Sequence, residues 1–184
     1  GLGDAAALDA LVLRKVGFAL GKGLRKQAQI ATPLLEDVPS AVDPAAAAQA
    51  LAEGIVLGAY GFDKYKSDPK PAALKKVVLV GSNARAWGAA ATRGGAIADA
   101  VCWARDLVNE PGGSLTPPEL ARAAAARARR AGLTVRVHTE AAIEKMRLGG
   151  LLGVNRGSTI PPRLVEIVYE PVGRPTGTLA LIGK

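Results

Sequence analysis

The 184-residue sequence predicts an α/β fold, and three observations carry this prediction. Short apolar runs that are typical of buried strands alternate with longer segments in which apolar residues recur at helical spacing. Hydrophobic residues make up 49% of the chain and charged residues 22%, a composition typical of a protein with a packed core. A cluster of helix breakers at positions 109–113 divides the chain, which is long enough for one full core or two small ones.

Before the breakers, the pattern predicts three helices and two strands. Residues 30–34 and 77–80 are the candidate strands, and Pro33 confines the first of them to a sheet edge or a strand end. The pair Asp43-Pro44 starts one helix, and another runs from about 92 to 108. Asp4 is placed to cap the first helix. The apolar face of that helix is predicted to comprise Leu8, Leu11, Val12, Val16, Leu20 and Leu24.

After the breakers, Thr116 and Glu119 have the spacing of a capping box at the start of a helix. This helix is predicted to stop at Gly132. A strand at 133–137 and a short helix at 141–146 follow. Three further apolar runs are predicted to be strands, which gives a hairpin-like run at the end of the sequence: 151–154, 164–169 and 178–182.

Charge and cysteine content narrow the class of protein. The net charge of +8 permits contact with nucleic acid, but the basic residues are scattered, which favours solvated helix faces. Cys102 is the single cysteine, so an intrachain disulfide is excluded, and its apolar helical context predicts a buried thiol. No apolar run approaches the roughly 20 residues of a membrane span, and no signal peptide is recognisable. The expected location is the cytoplasm.

Two glycine-containing segments invite a phosphate-binding interpretation. Residues 1–6, GLGDAA, match a relaxed dinucleotide fingerprint, but no strand precedes them and no acidic residue follows at about 20 positions. A simple turn is therefore favoured. Gly183-Lys184 resembles the end of a phosphate loop, but the first glycine of that motif would fall on Thr178. The phosphate-loop interpretation fails.

Other candidate catalytic groups have structural explanations. His138 is the single histidine and is predicted to lie in solvent at a strand end. No Cys/His cluster has the spacing of a structural zinc site. On the middle helix, ion pairs at i, i+4 spacing would account for four charged residues: Asp99, Arg105, Asp106 and Glu110.

Five motifs then give a specific resemblance. The segment 104–117, ARDLVNEPGGSLTP, closely resembles the leucyl (cytosol) aminopeptidase family, in which such a segment joins a linker helix to the catalytic domain. Residues 53–67 resemble the family's helix EG-x-x-LG-x-Y-x-F-x-x-YKS, with Gly61 in place of a usual polar residue. Three later segments agree in order and spacing, namely 146–158 (GGLL-x-V-x-x-GS), 161–164 (PPRL) and 179–184, which resembles the strand before the metal-binding loop.

The resemblance implies an α/β architecture of three parts. These are a macro-like N-terminal domain at 1–88, without its first strands, a linker helix at 89–110, and the first part of an α/β/α metallopeptidase domain at 111–184. It also implies a homohexamer that releases N-terminal amino acids, often leucine, from peptide substrates. The cofactors implied are two divalent metal ions, either zinc, manganese or magnesium, which can polarise the carbonyl and activate water.

Lys184 matches the lysine that supplies the family's first metal ligand, and as a ligand its amine would be neutral. The family's loop after this lysine and its later carboxylates do not occur in these 184 residues. One lysine cannot hold two hard cations, which prefer several oxygen ligands. The chain alone is therefore expected to be an inactive part of a larger enzyme and to bind no metal.

Two alternative functions remain open at this point. Some family members bind DNA, and the charge of +8 is compatible with such a module, whose affinity would fall steeply with salt. The macro-like domain could instead bind a nucleotide of the ADP-ribose type, for which the turn at residues 1–3 is the support.

Overall fold

The computed structural model describes residues 3–183. Contacts divide the chain into two compact units, residues 1–109 and 110–184. Each has a two-stranded sheet among its described residues. No helix in the described part of the chain is long and apolar enough to span a membrane.

The first unit is built from three helices and two strands, with short 3-10 turns at Ala5–Ala7 and Leu34–Asp37. Strands β1 (Gln29–Thr32) and β2 (Lys76–Leu79) are parallel, with Ile30 opposite Val77, and the helix α2 (Pro44–Ala59) lies between them in sequence. A parallel pair joined by a helical crossover is the α/β arrangement that the sequence predicts, which is thereby confirmed. In chain order the elements are α1 (Ala10–Gly23), β1 (Gln29–Thr32), α2 (Pro44–Ala59), β2 (Lys76–Leu79) and α3 (Ala84–Asn109).

Glycines allow α1 and α2 to pack backbone against backbone. A Cβ atom on Gly17 or Gly21 of α1 would overlap the main chain of α2 around Leu51 and Ile55. A Cβ on Gly54 or Gly58 of α2 would overlap the main chain of α1 in the same way. The glycine pattern therefore sets the distance between these helices, and larger side chains complete the core. The fully buried large side chains of this core are Leu13, Leu51 and Ile55.

The start of α1 and part of its buried face differ from the prediction. Asp9, not Asp4, caps α1, because its carboxylate accepts a hydrogen bond of 2.8 Å from the Val12 amide. Asp4 accepts from the amide of Ala6 and caps only the 3-10 turn. Among the residues predicted to form the apolar face, Leu11 is 51% exposed. Of the same predicted set, Leu8 is buried, and Val12 and Leu20 pack half-buried against the core. The buried residues of α1 itself are Leu13, Gly17 and Gly21.

The long helix α3 begins at Ala84, eight residues before its predicted start. The Asn83 carbonyl accepts hydrogen bonds from the amides of Ala86 and Trp87, which closes the first turn. Trp87 is buried in the core of this unit. Because the surrounding residues are glycines and polar residues, the spacing of apolar residues does not predict this turn.

The second unit packs a helix on an antiparallel pair of strands. Its elements are α4 (Pro117–Arg130), β3 (Thr134–His138), α5 (Glu140–Lys145), α6 (Gly149–Asn155) and β4 (Leu164–Val168). In the sheet, Thr134 lies opposite Val168 and His138 opposite Leu164. The buried face of α4 consists of small residues that allow close packing: Ala121, Ala125 and Ala128.

Three predictions for this unit are wrong. Residues 151–154 form part of helix α6, because the Leu148 carbonyl accepts hydrogen bonds from the amides of Leu151 and Leu152. Residues 178–182 form no strand, since no described segment pairs with them, and Leu179 is 84% exposed. Thr116 precedes α4 but makes no side-chain capping bond. Its predicted partner in the capping box, Glu119, binds Arg122 instead.

Candidate functional site

The predicted metal ligand, Lys184, lies outside the described residues, so its role stays a prediction. Residues 178–183 lead up to it without helix or strand. Among residues 3–183, no three His, Cys, Asp or Glu side chains are grouped so that they could hold a metal ion. The described residues do not fit a dinuclear metal site, and no step of metal chemistry is assigned to them.

Two of the quoted motifs meet at one side chain, that of Tyr60. Its hydroxyl donates a hydrogen bond of 3.0 Å to Oδ1 of Asp106 and accepts one of 3.0 Å from Nδ2 of Asn109. The guanidinium carbon of Arg105 lies 5.6 Å from the centre of the Tyr60 ring, within cation–π range. We call these four residues the Tyr60 cluster. It joins the residue just after α2 to the last turns of α3.

Electrostatics keep the Tyr60 hydroxyl protonated. Burial raises the pKa of Tyr60, the hydrogen bond from Asn109 lowers it, and the hydrogen bond to Asp106 raises it again. The net direction is upward, so the hydroxyl remains a donor to the Asp106 carboxylate. The protonated Tyr60 hydroxyl is therefore suited to linking two helices by hydrogen bonds and is not suited to act as a base.

Beside the ion pairs predicted within α3, Arg105 and Asp106 make a long-range contact that was not predicted. Asp106 accepts a hydrogen bond from Tyr60, and the Arg105 guanidinium lies over the Tyr60 ring. The contact between Tyr60 and Asp106 was not predicted, because 46 positions separate the two residues. Helical spacing predicts contacts only between residues three or four positions apart. The available signal was that both residues lie in motifs shared with one family.

Two acidic residues of the motif at 53–67, Glu53 and Asp63, make further structural contacts. Glu53, 5% exposed, accepts a hydrogen bond of 2.7 Å from Arg14 and one of 2.8 Å from Gln49. Both bonds satisfy a buried carboxylate beside the glycine contact of α1 and α2. This pairing explains an acidic residue in a buried helix face without any catalytic role.

Asp63 makes the second of these contacts, in the turn after α2. Its carboxylate binds the Lys66 ammonium, accepts a hydrogen bond of 3.2 Å from the Lys70 amide, and lies 3.6 Å from Nη2 of Arg25. The hydrogen bond with Lys66 is the largest cause of a pKa of Asp63 below its ordinary value. Arg25 also donates to the Lys70 carbonyl at 2.8 Å, so this cluster fixes the segment that leads to β2.

His138 ends β3, as predicted, but its side chain is only 22% exposed rather than in solvent. Its Nε2 atom is buried and lies 3.2 Å from Oε2 of Glu166 on β4. No hydrogen bond of acceptable geometry to this nitrogen is formed by any residue of the described range. Glu166 lies opposite Arg136 in the sheet and is therefore a diagonal neighbour of His138.

Cys102 is a free thiol and is half-buried rather than fully buried as predicted. Burial raises the pKa of this thiol, so the thiol form is favoured over the nucleophilic thiolate.

The turn at residues 1–3 that was considered for nucleotide binding begins with Gly1 and Leu2, which lie outside the described residues.

A cleft of about 830 Å³ lies in the first unit, between β2, α2 and α3. We call it the β2 cleft. Its walls combine apolar and polar groups, with Asp99 and Asp106 among them, and its size is in the range of ordinary ligand sites. The apolar and small residues that line it include Val56, Val77, Leu79, Trp87, Gly88 and Ala91.

Comparison with known sequences defines the class of protein. The profile of the cytosol aminopeptidase family, N-terminal domain, matches residues 1–69, and the profile of the catalytic domain of the same family matches residues 102–184. The two domains occur in the order that the linker motif predicts. The chain belongs to the cytosol aminopeptidase family.

Individual relatives agree with this assignment. The chain is 39% identical over 191 residues to a probable cytosol aminopeptidase of Rhodococcus erythropolis and 41% identical over 191 residues to one of Rhodococcus jostii. Each alignment covers 100% of this chain but 36% of the relative. The chain therefore spans just over a third of the length of these curated relatives.

Solved structures confirm the fold. The bottromycin maturation enzyme BotP in complex with Mn is similar with a TM-score of 0.81 and 38% identity, over 93% of this chain and 36% of that chain. A second BotP structure gives a TM-score of 0.83 and 37% identity, over 92% of this chain and 36% of that chain. The family prediction from the motifs is confirmed, and the DNA-binding and nucleotide-binding alternatives are not favoured.

Proposed function

We propose that this chain is part of a metal-dependent leucyl aminopeptidase, which releases N-terminal amino acids from peptides. One observation carries the proposal: the N-terminal and the catalytic domain of a single peptidase family match the chain in order, at 1–69 and 102–184. The Tyr60 cluster supports it from the structure, because residues of two family motifs form one contact there.

The reaction is proposed for the longer protein, and the 184-residue chain is proposed to be inactive alone. The support is that the chain covers 36% of its curated relatives. We assign residues 1–88 to a macro-like domain, 89–110 to the linker helix and 111–184 to the first part of the catalytic domain. The linker assignment is compatible with the long helix α3, which ends at Asn109.

We propose Lys184 as one ligand of a site for two divalent metal ions in the longer protein. The support is the position of Lys184 directly after the 179–183 segment that resembles the family's last strand before the metal loop. One of the similar BotP structures is a complex with Mn, which makes manganese the first metal to test.

Mass and activity of the native protein test this proposal together. Its intact mass should lie far above the 18.8 kDa of these 184 residues. The purified native protein should release leucine from a leucyl peptide with added manganese and should lose this activity in a chelator. The Lys184→Ala variant should lose metal and activity together. A native mass of 18.8 kDa, or full activity in the chelator, would contradict the proposal.

Assembly and location belong to the same proposal. We expect the intact enzyme to be a homohexamer in the cytoplasm, with peptides as substrates. Light scattering on the purified native protein measures the first point, since a hexamer has six times the mass of its chain. A monomer at micromolar concentration would contradict the expected assembly.

A further inference from the structure

Basic residues that are dispersed in the sequence are gathered at one edge of the first unit. Strands β1 and β2 are parallel, so the segments that lead into them, 22–28 and 60–76, lie at the same edge of the sheet. The Ala73 amide donates to the Arg25 carbonyl and the Arg25 guanidinium to the Lys70 carbonyl, both at 2.8 Å, which joins the two segments directly. We call these two segments the basic edge.

The basic edge carries most of the net charge of the chain. Its 24 residues include eight lysines and arginines and two aspartates, a net charge of +6, whereas the whole chain carries +8. All of these basic residues except the half-buried Arg25 are exposed. The segments that follow the two strands at the opposite edge, 33–43 and 80–83, contain three acidic residues and no basic one. The first unit is therefore strongly polarised along its strands.

Ion pairs within the basic edge neutralise only part of this charge. Asp63 binds Lys66 and lies 3.6 Å from Arg25. Asp68 lies 3.3 Å from Nζ of Lys70, and both side chains are more than 70% exposed, so that solvent and salt weaken this pair. Two carboxylates cannot neutralise eight cations. The excess cations repel one another, and an anionic partner would offset this repulsion.

Aromatic rings lie among these charges. The ring centres of Phe62 and Tyr65 are 6.0 Å apart, and Nζ of Lys64 lies 5.3 Å from the centre of the Tyr65 ring. Tyr65 is 55% exposed. Tyrosine is enriched in protein–protein interfaces, where its ring adds apolar contact to polar bonds. The basic edge therefore combines positive charge with an apolar surface for a partner's side chain.

We propose that the basic edge binds an acidic polypeptide segment of a partner protein. Aspartate and glutamate side chains can reach the separate lysines individually, and an apolar side chain of the same segment can pack on Tyr65. A nucleic-acid backbone fits this edge less well, because its phosphates follow one another without interruption and would meet the exposed carboxylate of Asp68. The inference goes beyond the proposed function, since it requires neither metal nor peptide hydrolysis.

A decaglutamate peptide that ends in phenylalanine is the probe for this interaction. Fluorescein on its N-terminal amine reports binding by anisotropy and also blocks removal of residues by an aminopeptidase. At low salt, the 184-residue chain and the native longer protein should both bind the peptide. The affinity should fall steeply as salt is added, because salt screens exposed charges. Binding by neither protein, or by the 184-residue chain alone, would overturn the inference.

Two double variants with the same change in net charge locate the binding surface. Lys22→Glu with Lys26→Glu reverses two exposed charges of the basic edge and should weaken binding by at least about 10-fold. The control, Arg85→Glu with Arg93→Glu, reverses two exposed charges on α3 and should weaken binding less than about 3-fold. Equal losses in the two variants would show attraction to the net charge alone and would overturn the inference.

A milder variant guards against misfolding of the first one. Lys22→Gln with Lys26→Gln removes the two charges without reversing them, so its loss of affinity should be intermediate. Circular dichroism checks that each variant is folded. Wild-type affinity in a folded Gln variant would overturn the inference.

Duplex DNA, added as a competitor at an equal concentration of negative charge, distinguishes the two classes of partner. The unlabelled peptide should displace the probe better than DNA does. Better displacement by DNA would overturn the assignment to an acidic polypeptide. Peptide hydrolysis is a separate measurement: an active native aminopeptidase that does not bind the probe would remove this interaction and leave the proposed function in place.

Discussion

Tyr60 shows how a residue shared with a family can serve the fold rather than the chemistry. Its hydroxyl is bound on two sides, by Asp106 and by Asn109, at the point where α2 ends and α3 completes its last turns. A net hydrogen bond contributes about 0.5–1.5 kcal/mol in a protein, and more when one partner is charged. We therefore interpret Tyr60 as a structural link between the two longest helices of the first unit.

Replacing Tyr60 by phenylalanine should destabilise the first unit by about 1–3 kcal/mol at neutral pH, because Asp106 and Asn109 lose their partner. Urea unfolding followed by circular dichroism measures the loss. Tyr169→Phe, at a tyrosine that is 72% exposed, is the matched control and should change stability little.

The same variant should change the alkaline limit of stability. The pKa of Tyr60 is raised above 10.0 in the fold, so the stability that it contributes is complete below about pH 10 and is lost as the pH rises through the raised pKa. The Phe variant lacks this contribution, and its unfolding free energy should fall less between pH 9 and pH 11. An equal fall of the unfolding free energy in wild type and in the Phe variant would contradict the raised pKa of Tyr60.

For Asp63 we expect the opposite pH dependence of stability, at acid pH. Its pKa lies below 3.8 in the fold, so its contribution is complete above about pH 4 and is lost as the pH falls through the lowered pKa. Asp63→Asn should therefore be less stable than wild type at pH 6, and the difference should shrink by pH 3. Asp68→Asn, at a side chain that is 79% exposed, should leave the acid profile unchanged. A stability difference between Asp63→Asn and wild type that does not depend on pH would exclude the ion pairs of Asp63 as its cause.

At the scale of elements, the α1–α2 contact depends on glycine. Gly54→Ala would place a methyl group against the Arg14 carbonyl of α1, and overpacking of this kind costs about 1–3 kcal/mol or more. Thermal unfolding measures the loss. The control Gly23→Ala adds a methyl group that meets nothing within 4 Å and should be close to neutral. Equal stability of the two variants would show that the helices can separate without cost.

The sequence predicted those elements whose ends carry specific backbone chemistry. Asp43-Pro44 begins α2, and Gly132, with a φ of 76°, follows the end of α4. Short apolar runs were less informative, because 151–154 satisfies a strand pattern and a helical one equally. The packing face of α1 was predicted only in part. Leu8, Val12 and Leu20 pack on the core as expected, but the closest contacts are made by glycines, which an apolar pattern does not reveal.

At the scale of the whole molecule, the family could be predicted from ordered motifs, whereas the contacts made by those motifs could not. Tyr60 and the end of α3 are distant in sequence and are brought together only by the packing of α2 on α3. The metal site remains a prediction that rests on Lys184. No grouping of acidic, histidine or cysteine side chains among residues 3–183 supplies its remaining ligands.

We propose that peptidase activity belongs to a longer protein of which this chain is a part. Hydrolysis of leucine p-nitroanilide with added manganese, compared between the purified 184-residue chain and the native protein, tests it most directly. We predict hydrolysis by the native protein and none above the enzyme-free rate by the 184-residue chain. Chelator-sensitive hydrolysis by the purified 184-residue chain would contradict the claim.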